Sequence, residues 1–146
     1  MAKQLELRRG TTQANNLFTG ATGELTMDTD TKQLRVHDGV KTGGYAIDTL
    51  VAFQVPNAGN NYTWYRKYAS GWVEQGGYGT KEQTITLPVE MANANYGVLA
   101  GLCITGSNNI SYSVNTDSKT TTSFRIRSES SVSTNEAYWE AKGMAA

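Results

Sequence analysis

The chain is 146 residues long, which is room for one domain or two small ones. Lys plus Arg number 13 and Asp plus Glu number 13, with neither sign concentrated, so the basic face that neutralises phosphates in nucleic-acid binders is absent. Fifteen glycines, eight tyrosines and three tryptophans beside only two prolines favour short strands and many turns over long helices.

The chain opens Met1-Ala2-Lys3-Gln4 without an apolar run, so a secretory signal is not expected and synthesis in a cytoplasm is. Residues 4–8 alternate as a strand, with Leu5 and Leu7 on one face and Glu6 and Arg8 on the other. Arg9-Gly10-Thr11-Thr12 begins a polar loop anchored by Leu17 and Phe18 and closed by Gly20 to Gly23. Residues 24–28 and 33–37 alternate again, with Leu25, Met27, Leu34 and Val36 expected to face inward. Asp28-Thr29-Asp30-Thr31-Lys32 between them is turn chemistry, so the pair reads as a hairpin. Residues 39–48 read as a turn and hinge around Gly43-Gly44.

Residues 49–55 are apolar and suit a strand before Pro56, and the Asn- and Gly-rich stretch to Asn61 is a loop. Tyr62–Tyr68 and Trp72–Gln75, joined at Ala69-Ser70-Gly71, form the clearest hairpin of the second half. Strands follow at Gln83–Leu87, Gly97–Thr105, Ile110–Val114, Ser123–Arg127 and Ala137–Lys142, with room for one helical turn at Met91–Asn95. Short strands at this spacing, divided by polar turns, predict an antiparallel sandwich. No stretch approaches the roughly 20 apolar residues that span a bilayer, so membrane insertion is not expected.

Two features predict self-association. The first 48 residues hold about six large apolar side chains and no disulfide, too little core for a module that stands alone. The run Val98–Ile104 is apolar on both faces: either it is a central strand covered twice within its own chain, or its second face meets a neighbouring subunit.

Leu7-Arg8-Arg9-Gly10-Thr11-Thr12, Phe18-Thr19-Gly20-Ala21, Gly23-Glu24-Leu25-Thr26, Asp28-Thr29-Asp30-Thr31-Lys32 and Leu34-Arg35-Val36-His37-Asp38-Gly39 together resemble the N-terminal domain of the phage major tropism determinant. The likeness covers about residues 4–48 and implies a threefold β-prism to which each chain contributes one small sheet. Trp64-Tyr65-Arg66-Lys67-Tyr68, Ser70-Gly71-Trp72-Val73-Glu74-Gln75-Gly76-Gly77, Thr84-Ile85-Thr86-Leu87-Pro88, Tyr96-Gly97-Val98 and Tyr138-Trp139-Glu140-Ala141-Lys142-Gly143 are similar to phage tail-fibre C-terminal tips, which are trimeric knobs. Fibres usually place a long shaft between such modules, whereas here scarcely fifteen residues separate them, which implies a compact tip or a short fibre. The expected organisation is therefore all-β: a β-prism-like trimerisation module over 1–48, a linker over 49–61, and a β-sandwich knob over 62–146, in an intertwined homotrimer.

Candidate chemistry is sparse. Cys103, the lone cysteine, lies in an apolar run and reads as a buried hydrophobe. His37, the lone histidine, has no partner at alternate spacing for an axial metal and reads as a turn or interface residue. Asp28-x-Asp30-x-Lys32 departs from a calcium loop at Lys32, Gln33 and Gly39, leaving both aspartates to cap a turn. Glu74, Glu82, Glu90, Asp117, Glu129, Glu136 and Glu140 share no motif, so the paired carboxylates of a polysaccharide-cleaving tailspike are not evident. No catalytic residue, metal or cofactor is expected. Trp64, Trp72 and Trp139 read as core or interface residues, while Tyr68, Tyr78 and Tyr96 near loops suit stacking on sugars.

The reading that follows is a phage tail-fibre receptor-binding protein, made in the host cytoplasm and carried on the virion. It would bind a bacterial surface saccharide or outer-membrane protein at one end and other phage tail proteins at the other. The rivals are a structural tail or baseplate component and, less favoured, a degrading tailspike. If strand Tyr62–Tyr68 leaves the prism-side end, strand parity places the turns Ala69–Gly71, Pro88–Tyr96 and Thr116–Thr121 far from it, and those at Tyr78–Glu82, Thr105–Asn109 and Glu129–Asn135 near it. The far set nominates Asn93, Asn95, Tyr96, Asp117, Ser118 and Lys119 as receptor contacts.

Overall fold

The first unit is built around one hairpin turn. Its elements are β1 (Arg8–Gly10), α1 (Thr12–Asn16), β2 (Leu25–Asp28), β3 (Leu34–Val36) and β4 (Tyr45–Ala46). Asp28 Oδ1 accepts the N–H groups of Asp30 at 3.1 Å and Thr31 at 3.2 Å, closing the turn between β2 and β3 as its sequence predicts. β2 and β3 pair antiparallel, with Leu25 opposite Val36 and Met27 opposite Leu34. β1 joins β2 in parallel and β4 joins β3 antiparallel, giving the order β1-β2-β3-β4. Arg9 and Gly10 are thus strand rather than loop, and the expected hinge contains β4. A parallel pair needs a crossover, and residues 11–24 supply it through α1, which the sequence reading missed. Thr11 caps α1 by accepting the Ala14 N–H.

This computed structural model describes residues 7–103, 114–128 and 136–146. It divides into two compact units, residues 1–50 and 51–146. The expected turns at Thr105–Asn109 and Glu129–Asn135, most of the strand Ile110–Val114, residues 4–6 and the side chain of Cys103 lie outside the described part.

The buried face of the four-stranded sheet is the polar one, a correction to the expected inward face. Thr26, Asp28, Arg35 and His37 are buried, whereas Leu25 is 38% exposed and Met27, Leu34 and Val36 are half-buried. The reason lies in what covers each face. The Asn15 amide, carried by α1, donates to Gly10 O at 2.8 Å, and Phe18 sets its ring edge-to-face on His37 at 5.2 Å. His37 is therefore an interior residue, its Nδ1 accepting the Gly20 N–H at 3.2 Å and its Nε2 lying 3.0 Å from Thr26 Oγ1. The opposite face carries the cross-strand rows Leu25–Val36–Tyr45 and Met27–Leu34, and Tyr45 and Ile47 are 51% and 44% exposed.

The second unit contains β5 (Leu50–Gln54), a 3-10 turn at Ala58–Asn60, β6 (Trp64–Tyr68), β7 (Trp72–Thr80), β8 (Thr84–Thr86), β9 (Gly97–Cys103), β10 (Val114–Asp117), β11 (Ser123–Ser128) and β12 (Glu136–Met144). Two sheets form, β5-β6-β7-β12-β9 and β10-β11-β8. Alternation sorts the side chains between faces: Ala137, Trp139 and Ala141 of β12 pack with Ile85, Phe124 and Ile126 of the smaller sheet, and none of the three β12 residues is exposed. Phe124 meets Trp139 edge-to-face at 5.4 Å. The sandwich is thus as the spacing predicts. β5 occupies the segment 49–61, and Met91–Asn95 forms no helix but a single bridge from Met91 to Ala145. β9 lies at the sheet's edge; its Val98 and Ala100 pack on the core and Leu99 is 73% exposed, so among the described residues its second face is not covered.

Candidate functional site

Three connections converge at one end of the sandwich. The Ala145 N–H donates to Gly71 O at 2.8 Å, Ala92 N–H to Met144 O at 2.9 Å and Met91 N–H to Thr121 O at 2.8 Å. These bonds gather the turns at 69–71, 88–96 and 116–122, the grouping that strand parity predicts. The Gln54 side-chain amide donates to Thr63 O at 3.0 Å and Thr63 Oγ1 at 2.9 Å, so the end of β5 lies beside the start of β6, and β5 rather than Tyr62–Tyr68 is the first strand of the sandwich.

At this end lies an open cleft of about 370 Å³, lined by Trp72, Asn93, Asn95, Tyr96, Lys142 and Met144 among others. β7 begins with Trp72 just after the turn, and β12 places Met144 opposite it and Lys142 opposite Glu74. Asn93 is held by its own turn, its Oδ1 accepting the Asn95 N–H at 2.8 Å. Trp72 is 40% exposed, so the cleft offers one indole, two amides and an ammonium to a ligand.

The nominated residues separate into three roles. Asn93 and Asn95 line the cleft. Tyr96 is only 5% exposed, and its hydroxyl donates to Ser123 O at 2.9 Å, so its ring is packed rather than offered for stacking. Burial raises the Tyr96 phenol above its ordinary value, keeping it a donor. Lys119 supports that packing: its ammonium donates to Tyr96 O at 3.0 Å and sits 5.3 Å from the ring centre. Asp117 turns elsewhere, onto the outer surface of the smaller sheet, where its Oδ2 accepts from Arg127 Nε at 2.7 Å. Arg125 and Arg127 both reach Glu82, at 2.8 and 2.9 Å. The bond from Arg127 is the main reason the Asp117 carboxyl lies below its usual range. Ser118 joins the two regions with a left-handed backbone, φ 52°.

Sequence reasoning missed Trp72, Lys142 and Met144 as cleft residues. Their signal is register: only the pairing of β7 with β12 brings positions 72 and 144 together. It also missed that Glu74 and Glu140, unpaired in sequence, both approach the Lys142 ammonium, at 3.8 and 3.4 Å.

Comparison with known proteins bears on the first unit. Residues 5–41 match the family described as the Major tropism determinant N-terminal domain, which bears out the resemblance read over 4–48. A tail fiber receptor-binding protein of Bordetella phage BPP-1 is 43% identical over 47 residues, covering 32% of this chain and 12% of that protein. The chain thus spans about an eighth of the length of this relative. Among solved structures, the P3c variant of the Major Tropism Determinant is 30% identical over 43% of this chain and 20% of its own, with a TM-score of 0.29. A fibre of the P. aeruginosa R2 pyocin is 20% identical over 65% of this chain and 26% of its own, with a TM-score of 0.49.

Proposed function

We propose that the chain is a phage tail-fibre receptor-binding protein, a binding module rather than an enzyme, carried on the virion. The observation that carries this reading is the match of residues 5–41 to the Major tropism determinant N-terminal domain. The partly bare face of Leu25, Met27, Leu34, Val36, Tyr45 and Ile47 supports a homotrimer, since three copies of one small sheet would cover one another's apolar rows. The second unit then serves as the tip that meets a bacterial surface saccharide or outer-membrane protein. Three tips on one trimer would let weak single-site contacts act together.

The cleft at the end of the sandwich is one place where such a receptor would sit, with Asn93, Asn95 and Trp72 as contacts and with Tyr96 and Lys119 holding its wall. Asp117 and Ser118, proposed from sequence as contacts, have the supporting role of fixing the neighbouring turn. The test is attachment of the fluorescently labelled chain to a panel of bacterial strains, read by flow cytometry. Saturable binding to at least one strain is the expected result. Binding to none, with capture of other tail proteins instead, would replace the receptor reading with a structural one. Incubation with capsule or lipopolysaccharide is expected to leave the glycan's size unchanged, and released oligosaccharides would overturn the non-enzyme reading.

A further inference from the structure

The outer face of the five-stranded sheet, away from the sandwich core, carries a row of tyrosines that lies outside the cleft lining. Tyr62, Tyr78 and Tyr138 form a continuous row, with ring centres 6.3 and 5.6 Å apart and planes at 83° and 67°. Rings set near right angles make corners, each with one ring as wall and the next as floor. Tyr62 and Tyr78 remain 51% and 42% exposed, so the corners are open to solvent. β12 pairs Tyr138 with Tyr78 on one side and Gly101 on the other. Among the described residues, a side chain at Gly101 would meet nothing within 4 Å.

Polar groups border the row on its next register line. The Tyr138 hydroxyl donates to Glu140 Oε1 at 2.8 Å, and Glu140 Oε2 lies 3.4 Å from the Lys142 ammonium, which also approaches Glu74. Burial first, and then the Glu140 carboxylate, raise the Tyr138 phenol above its ordinary value, so it stays protonated and donating. The Trp64 indole lies against Gly76, where a Cβ would fall 2.7 Å from it, so an aromatic ring seated on bare backbone borders the row. An apolar protein partner would leave the Glu140 and Lys142 charges buried and poorly solvated. A pyranose alternates an apolar C–H face with a rim of hydroxyls, and so matches ring faces bordered by carboxylate and ammonium. Two carboxylates and one ammonium leave this border one negative charge, which favours a neutral sugar over an anionic one.

We propose that the Tyr62–Tyr78–Tyr138 row, with Glu140 and Lys142 at its edge, is a binding site for neutral pyranose units of a bacterial surface glycan. The site rests on the receptor-binding reading and names its ligand class, and it shares Lys142 with the end cleft. Tyr62 and Tyr78 supply stacking faces, and Glu140 and Lys142 hydrogen-bond the sugar rim. The experiment is a glycan array of neutral bacterial-surface oligosaccharides, probed with the labelled full chain and with three variants. The wild type is expected to be retained on a subset of hexose- or heptose-containing glycans. The double change Tyr62→Ala/Tyr78→Ala and the single change Glu140→Gln are expected to weaken that retention about tenfold or more. Asn93→Ala/Asn95→Ala tests the cleft as the alternative location. Retention of no neutral glycan, or loss in the cleft variant with none in the tyrosine variant, overturns the proposal. A smaller native mass for the tyrosine variant would instead assign the row to contact between copies. If the wild type attaches to cells and the tyrosine variant attaches equally well, the site fails while the receptor-binding reading stands; if the wild type attaches to none, that reading fails.

Discussion

Asp28 shows how one side chain can hold a module too small for a large apolar core. Its side chain is fully buried, and Arg35 reaches it at 2.8 Å while also donating to Asn16 Oδ1 at 2.8 Å and Gly43 O at 3.0 Å. Burial alone would raise its pKa, but hydrogen bonds from the Thr31 N–H, Arg35, Thr12 and the Asp30 N–H override this and lower it to about 2. A carboxyl depressed in the folded state stabilises the fold above its unfolded value of 3.8, and that contribution is lost as the pH falls through about 2. Hydrogen exchange at the β2 and β3 amides is therefore expected to show constant protection above about pH 4 and falling protection from there toward 2. Asp38, lowered by bonds from the Lys41 and Val40 N–H groups, adds to the same trend, so Asp28→Asn is expected to flatten it without abolishing it. Arg35→Met strands the buried carboxylate and is expected to cost about 3–5 kcal/mol, measured by thermal unfolding.

At the scale of elements, register does what pattern alone cannot. The nine pairs from Glu136–Thr80 to Met144–Trp72 align two long strands, with glycines where the neighbouring strand or an indole comes close. A Cβ at Gly76 would stand 2.7 Å from both the Trp139 carbonyl oxygen and the Trp64 ring, so Gly76→Ala is expected to destabilise the second unit by about 1–3 kcal/mol, read as a lower Tm. Trp139 is fully buried between the sheets beside Phe124, and Trp139→Ala is expected to cost about 3–5 kcal/mol through the cavity it leaves. Denaturant titration of each variant checks both values. The strands of this unit were largely legible because apolar runs and polar turns alternate along them. α1 was not legible, because Thr12-Gln13-Ala14-Asn15-Asn16 carries no hydrophobic period and is fixed by the Thr11 cap and the Asn15 contacts.

The whole molecule turns on which surfaces stay open. The first unit packs its polar residues inward and leaves Leu25, Tyr45 and Ile47 at 38%, 51% and 44% exposure on one face. Light scattering on the purified chain is expected to give a mass of three copies. Leu25→Glu/Ile47→Glu is expected to reduce that mass while β2 and β3 stay protected, since neither side chain belongs to the buried face. A wild-type monomer at micromolar concentration would remove the trimer from the proposal. The open face of the second unit differs in kind, because Tyr78 at 42% exposure stands in a row of tyrosines bordered by Glu140 and Lys142.

The sequence by itself determined the all-β class, the β2–β3 hairpin and most strands of the sandwich, because two-residue alternation and Asp- and Gly-rich turns are local signals carried by neighbouring residues. It also carried the likeness of residues 5–41 to the tropism-determinant domain, since those motif words stand in order along the chain. Which face is buried was decided only by the tertiary structure. Alternation says that Leu25 and Thr26 point opposite ways, and the crossover that lays Asn15 and Phe18 over the polar side chose between them. The same holds for the sites. Tyr96 looked available from its loop and is packed under Lys119, while Tyr78 and Tyr138, sixty residues apart along the chain, meet because β7 and β12 pair in one register, and Tyr62 joins them. Position along the chain fixes an element's pattern; proximity across strands depends on pairings that no local pattern encodes.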